Sequence, residues 1–171
     1  FEIEYVRFSP GAFQPQSAAE LKLRVNTTTG AVSIMNDGSP MNFDVNSYSI
    51  TSTNSLSTAG WNSLEDQVIG GDPTPGNKDN GDSWEEFNNV GSSFIGEGFL
   101  TGATTVLGGS PLALGNIFTP GGTQDLAFTY TATNGGLPAG GLMTGVIEYV
   151  TGGGFSADFD GDGDVDGADL T

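Results

Sequence analysis

Hydrophobic residues recur along this chain in short runs that alternate with polar ones, and clusters of Gly, Asn, Thr and Pro separate the runs. A period of two marks a strand with one face on a core and the other toward water. The alternation is cleanest in Glu20-Leu21-Lys22-Leu23-Arg24-Val25, where Leu21, Leu23 and Val25 share one side and the charges share the other. Asn26-Thr27-Thr28-Thr29-Gly30 has turn chemistry, and Ala31-Val32-Ser33-Ile34-Met35 resumes the pattern. A β-hairpin is therefore expected over 20–35. A strand over Phe43–Thr51 would put Tyr48 and Ile50 on one face. Further strands are expected over Phe94–Leu100, Thr104–Leu107, Leu112–Phe118, Asp125–Thr133 and Gly145–Val150. Phe1–Phe8, rich in aromatic and β-branched residues, reads as one more, set off by a linker holding Pro10, Gly11 and Pro15. Trp61–Leu64 reads as a single helical turn and Gly70–Asp82 as a long exposed loop. Roughly nine short strands, with no helical period and no βαβ spacing, predict an all-β antiparallel sandwich of jelly-roll type.

Composition narrows the chemistry. The chain has 171 residues, which suits one domain with a short appendage. Four basic residues stand against 21 acidic ones, a net charge of −17. Nucleic-acid binding needs basic residues to displace counterions, so no nucleic-acid partner is expected; an anionic membrane surface is disfavoured for the same reason. Cys and His are absent. That removes thiol nucleophiles, imidazole bases, disulfides and Cys/His zinc sites for these residues. No apolar run approaches the ~20 residues of a membrane helix, so no membrane insertion is expected. The chain opens on Phe1, which reads as a processed or truncated N-terminus.

Six of the acidic charges lie in the last fourteen residues, after a flexible Gly-rich joint at 151–157. There the sequence runs Asp158-Phe159-Asp160-Gly161-Asp162-Gly163-Asp164-Val165-Asp166-Gly167-Ala168-Asp169. Acids stand at positions 1, 3, 5, 9 and 12 of a twelve-residue loop, with Gly at position 6, as in an EF-hand calcium site. Ca²⁺ takes six to eight hard oxygen ligands, and alternate side chains of a tight loop converge on it. The cation also relieves the repulsion among these carboxylates. Asp at position 12, with Val165 before it and Leu170-Thr171 after it, resembles the first repeat of a type I dockerin. The resemblance covers about the last 14 residues. It implies Asp158, Asp160, Asp162, Asp166 and Asp169 as side-chain ligands and Asp164 as a carbonyl ligand. A dockerin pairs two such loops, and these residues hold the first, so what the resemblance implies for this segment is calcium binding.

The β-sandwich body, expected over 20–150, resembles a β-module found just before dockerin-type tails in large secreted proteins of aquatic bacteria, and the similarity extends over 20–171. The residues that carry this are Leu23-x-Val25-Asn26-Thr27-Thr28-Thr29-Gly30-Ala31-Val32, Tyr48-x-Ile50-x-Ser52, Gly60-Trp61-Asn62-Ser63-Leu64, Trp84-Glu85-Glu86, Leu114-Gly115-Asn116-Ile117-Phe118 and Val146-Ile147-Glu148-Tyr149-Val150. The resemblance implies export to the cell surface or beyond and an accessory, non-catalytic role.

Three further features bear on function. Asp72, Asp79 and Asp82, with Glu85 and Glu86 nearby, form a candidate second metal site. As a glycosidase pair these carboxylates lack any sign of facing each other across a cleft. Trp61 and Trp84 form a candidate glycan platform, set against an ordinary role as core anchors. Residues 1–19 read as an arm that could add to the open sheet edge of another copy. Two functions follow as expectations. One is an extracellular, calcium-binding structural or adhesive subunit that polymerises with itself into a filament or matrix. The other is a carbohydrate-binding module that tethers a larger enzyme to polysaccharide. No enzymatic activity is expected.

Overall fold

The computed structural model describes residues 20–37, 41–70, 81–133 and 141–152. The expected strand and linker at 1–19, most of the loop at 70–82, most of the Gly-rich joint and the calcium loop lie outside the described residues. The described residues form ten strands and no helix. They are β1 (Lys22–Asn26), β2 (Val32–Met35), β3 (Phe43–Thr51), β4 (Glu85–Glu86), β5 (Phe94–Gly98), β6 (Thr104–Val106), β7 (Leu112–Gly115), β8 (Ala127–Ala132), β9 (Leu142–Thr144) and β10 (Val146–Val150). One sheet has the order β10-β1-β2-β7. The other runs β4-β5-β3-β8-β9, with β6 paired to the first part of β3. The architecture is all-β and sandwich-like.

The hairpin forms as the alternation predicts, with Lys22 opposite Met35 and Val25 opposite Val32. Its turn is held by Asn26, whose Oδ1 accepts the N–H groups of Thr28 and Thr29, each at 2.9 Å. Asn favours such turns because its side chain supplies the acceptor locally. Leu21, Leu23, Val25, Val32 and Ile34 turn inward against Phe43, Val45, Tyr48, Ile50, Ile95, Phe128 and Tyr130 of the second sheet, and all are buried. Tyr48 and Ile50 share the inner face as expected. Along β3 the inward positions shift from 43 and 45 to 48 and 50, because the pairing with β8 slips between Val45 and Ser47. Tyrosine hydroxyls tie the sheets together: that of Tyr130 accepts the Leu21 N–H at 3.1 Å and that of Tyr149 accepts the Leu126 N–H at 2.9 Å.

One pairing departs from the antiparallel expectation. β10 runs parallel to β1, with Ile147 opposite Leu23 and Tyr149 opposite Val25. The cause is Gly145. After β9 leaves β8, this single residue carries the chain to the other sheet, and one residue is too short a link to reverse a strand. Its N–H donates to Phe128 O at 3.0 Å, while the next N–H, of Val146, donates to Leu21 O at 3.0 Å. A Cβ on Gly145 would stand 2.3 Å from Phe128 Cδ1 and 2.7 Å from Leu21 O. Only Gly fits where the chain crosses between the sheets.

The expected helical turn lies slightly later than Trp61–Leu64. The Gln67 N–H donates to Ser63 O at 3.0 Å, and the Asp66 N–H donates to Ser63 Oγ at 3.0 Å. Ser63 is therefore the N-cap of a turn over Leu64–Gln67.

Candidate functional site

Two arrangements stand out, a carboxylate inside the fold and an open strand edge on its far side. The carboxylate is Glu97, on the inner face of β5 beside Ile95 and fully buried. Its Oε2 accepts the Tyr48 hydroxyl and the Leu64 N–H, the latter at 2.9 Å. Its Oε1 accepts the Glu65 N–H at 2.9 Å. The two amides are the first free donors of the turn capped by Ser63, so Glu97 and Ser63 together satisfy that turn's N-terminal groups. Burial pushes the Glu97 carboxyl above its usual range, and the three donors pull it down less strongly. Burial likewise raises the Tyr48 hydroxyl well above its ordinary value, with the Glu97 charge acting in the same direction. These three bonds anchor the turn to β5.

From that anchored turn two contacts reach outward to sheet edges. Gln67 Nε2 donates to Ala113 O of β7 at 2.8 Å and to Asn62 O at 2.7 Å. With the Asn62 N–H on Leu114 O at 3.0 Å and the Asn116 N–H on Gly60 O at 2.8 Å, residues 60–67 cover the free edge of β7. On the other sheet, Glu65 Oε2 accepts the N–H of Glu86 in β4 at 3.1 Å. Short, acidic and capped, β4 is a poor template for pairing.

The opposite side is different. In a parallel ladder alternate residues direct both backbone groups to the same neighbour. The Val146 N–H on Leu21 O and the Thr27 N–H on Val150 O, at 3.0 and 2.9 Å, fix which residues face β1. The N–H and C=O of Ile147 and Tyr149 therefore face away from β1, and they meet no partner among the described residues. The side chains of Ile147, Tyr149 and Met143 pack on the core but are only partly buried. Leu142 is 73% exposed and Val146 38%. The edge of β9 and β10 is thus apolar and incompletely covered. On its outer face Glu148 accepts Arg24 Nε at 2.8 Å.

The residues singled out from sequence fall in several places. Trp84 is fully buried, tilted against Tyr48 and Phe99, and its indole N–H donates to Thr104 Oγ1 at 2.8 Å. Its ring has no face open for a sugar, so it does not join Trp61 in a platform. Trp61 is partly exposed, with its indole nitrogen buried and its backbone bridged to Gly115. Asp82 is described and lies next to Gly81, whose N–H donates to Glu85 Oε1 at 2.9 Å. Asp72, Asp79 and the six acids Asp158, Asp160, Asp162, Asp164, Asp166 and Asp169 lie outside the described residues. Among the described residues no group of three or more carboxylates is placed to hold a metal ion, and no helix is long and apolar enough to cross a membrane.

Glu97 is not singled out by sequence reasoning, which takes it for an ordinary strand residue. The available signal was its setting, Ile95-Gly96-Glu97-Gly98-Phe99, a lone charge at an inward position of an apolar strand. Comparison with family models, curated proteins and solved structures finds no match to this chain.

Proposed function

We propose that this chain is a non-catalytic structural module of the cell surface or extracellular matrix, a jelly-roll-like sandwich that assembles with its own copies and carries a calcium loop. The observation that supports this reading is the outer edge of β10, which meets no backbone partner among the described residues and lies over half-buried apolar side chains, while the edges of β7 and β4 are capped. An uncovered apolar strand edge is a template for another strand. The calcium part rests on donor chemistry: Asp158, Asp160, Asp162, Asp166 and Asp169 offer hard carboxylate oxygens at loop spacing, and Asp164 offers a carbonyl. Bound calcium would neutralise an acidic segment that otherwise repels its copies.

Negative-stain electron microscopy of the purified chain, first with calcium and then with EGTA, tests the proposal. Ordered filaments or sheets that loosen in EGTA are expected. Dispersed monomers in both conditions would overturn it. The carbohydrate-binding reading keeps one supporting observation, the partial exposure of Trp61. Binding on a glycan panel that disappears in Trp61→Ala would put that reading first.

A further inference from the structure

The tetrapeptide Ile147-Glu148-Tyr149-Val150 of β10 occurs a second time in the chain, as Ile3-Glu4-Tyr5-Val6. In β10 its alternation matches the sandwich: Ile147 and Tyr149 turn to the core opposite Leu23 and Val25, and Glu148 turns outward to Arg24. A strand laid along the outer edge of β10 must present the same pattern, with apolar side chains over the rim of Met143, Ile147 and Tyr149 and polar ones toward water. Phe1-Glu2-Ile3-Glu4-Tyr5 supplies it, with Phe1, Ile3 and Tyr5 on one face and Glu2 and Glu4 on the other.

We propose that the outer edge of β10 is the acceptor for the segment Phe1–Phe8 of a second copy of this chain, which adds to the sheet as a fifth strand beyond β10. This names the donor and acceptor of the assembly reading above and rests on it. The outward N–H and C=O groups of Ile147 and Tyr149 bond the incoming backbone. Phe1, Ile3 and Tyr5 of the incoming strand complete the cover over the rim. The like charges of Glu148 and the arriving Glu4 are tempered because Arg24 already bridges Glu148 at 2.8 Å. Residues 9–19 span at most about 40 Å when extended, enough to reach a neighbouring copy. Prolines stiffen linkers toward extended backbone, and this one holds Pro10 and Pro15. Because donor and acceptor are different surfaces, the contact is head-to-tail and leaves an arm and an edge free at the two ends of any chain of copies.

The chain has no cysteine of its own, so introduced thiols report the contact cleanly. Isotope-labelled full-length acceptor carrying Glu148→Cys is mixed with unlabelled full-length donors carrying Glu2→Cys, Glu4→Cys, Val6→Cys, Ile3→Cys or Tyr5→Cys. Linked peptides are then read by mass spectrometry after mild oxidation. Labelled-to-unlabelled links are expected from one or more of positions 2, 4 and 6, which share the outer face with Glu148, and not from positions 3 and 5. Links from odd and even positions alike would overturn the strand geometry. A chain carrying both Glu4→Cys and Glu148→Cys that links only within itself would overturn exchange between copies. In parallel, Ile147→Pro removes an N–H that faces away from β1 and should abolish polymers while Trp84 fluorescence stays native; persistence of polymers would overturn the proposal. If that variant does not fold, the cross-linking pattern decides. A wild-type chain that polymerises, together with cysteine variants that give no arm-to-β10 link, sinks this contact and leaves the assembly reading standing, whereas a wild-type chain that never polymerises sinks both.

Discussion

Replacing Glu97 tests whether the buried carboxylate anchors the turn over Leu64–Gln67. In Glu97→Ala three donors lose their acceptor: the Tyr48 hydroxyl and the Leu64 and Glu65 N–H groups. A buried donor left unpaired costs about 1–3 kcal/mol. The first two are buried, and the third is reached partly by water. Removing the carboxylate also removes the penalty of burying it, which offsets a fraction of the loss. A net destabilisation of about 3–4 kcal/mol follows, and the melting temperature should fall by roughly 10 °C for a domain of this size. Glu97→Gln keeps the shape. Its oxygen can serve Tyr48 and Leu64 while its amide group meets the Glu65 N–H, so a smaller loss of about 1–2 kcal/mol is expected. The pH dependence separates a titrating group from a mere shape. The folded pKa of Glu97 lies above its reference value of 4.5. Between that value and the folded pKa the folded chain holds a proton that the unfolded chain has released, so stability falls as pH rises through this window. The advantage of wild type over Glu97→Gln should therefore be larger at pH 4.5 than above the folded pKa. Urea unfolding followed by tryptophan fluorescence across pH measures both quantities. Glu97→Ala as stable as wild type, or a wild-type advantage over Gln that grows with pH, would refute the reasoning.

Gly145→Ala forces a Cβ into the Phe128 ring and the Leu21 carbonyl, and overpacking of this kind should cost about 1–3 kcal/mol; an unchanged urea midpoint would show that the crossing between the sheets tolerates a side chain. Asp125 accepts Ser52 Oγ at 2.6 Å and the Thr53 N–H at 2.8 Å, and these bonds, that of Ser52 foremost, lower its carboxyl from 3.8 to about 2. Its contribution to stability is accordingly present above pH 3.8 and is lost as pH falls through about 2. An NMR titration of the Asp125 carboxyl should find the low midpoint, and a midpoint at the ordinary value would show that the Ser52-Thr53 cradle does not form in solution.

What sequence reasoning reached and what it missed separate along physical lines. The 20–35 hairpin was legible because its alternation and its Asn-led turn are both local. The strand interiors at Phe43–Thr51, Phe94–Gly98 and Ala127–Ala132 were legible for the same reason. Strand ends were not, because distant contacts set them. β7 stops at Gly115, where φ is +81° and a Cβ would stand 2.2 Å from Gly60 O. β4 and β9, two and three residues long, are too short to show a period. The parallel pairing of β10 depends on where Gly145 delivers the chain, which no local pattern records. For Trp84 the sequence left a glycan platform and a core anchor both open, because only tertiary packing decides it, and that packing places the ring between Tyr48 and Phe99.

The least legible feature also connects the two halves of the functional argument. Glu97 holds the turn from which Gln67 reaches the β7 edge and Glu65 reaches the β4 edge. One buried carboxylate thereby organises the capping of both sheets along one side of the sandwich. Edges capped in this way resist indiscriminate strand pairing. Along the other side the outward backbone groups of Ile147 and Tyr149 meet no partner among the described residues and lie over a rim of half-buried apolar side chains. If the assembly proposed above holds, blocking one side while the β10 edge stays unpaired among the described residues would restrict strand addition to a single direction. That asymmetry is what a head-to-tail chain of copies requires, since a second open edge would branch it and no open edge would end it.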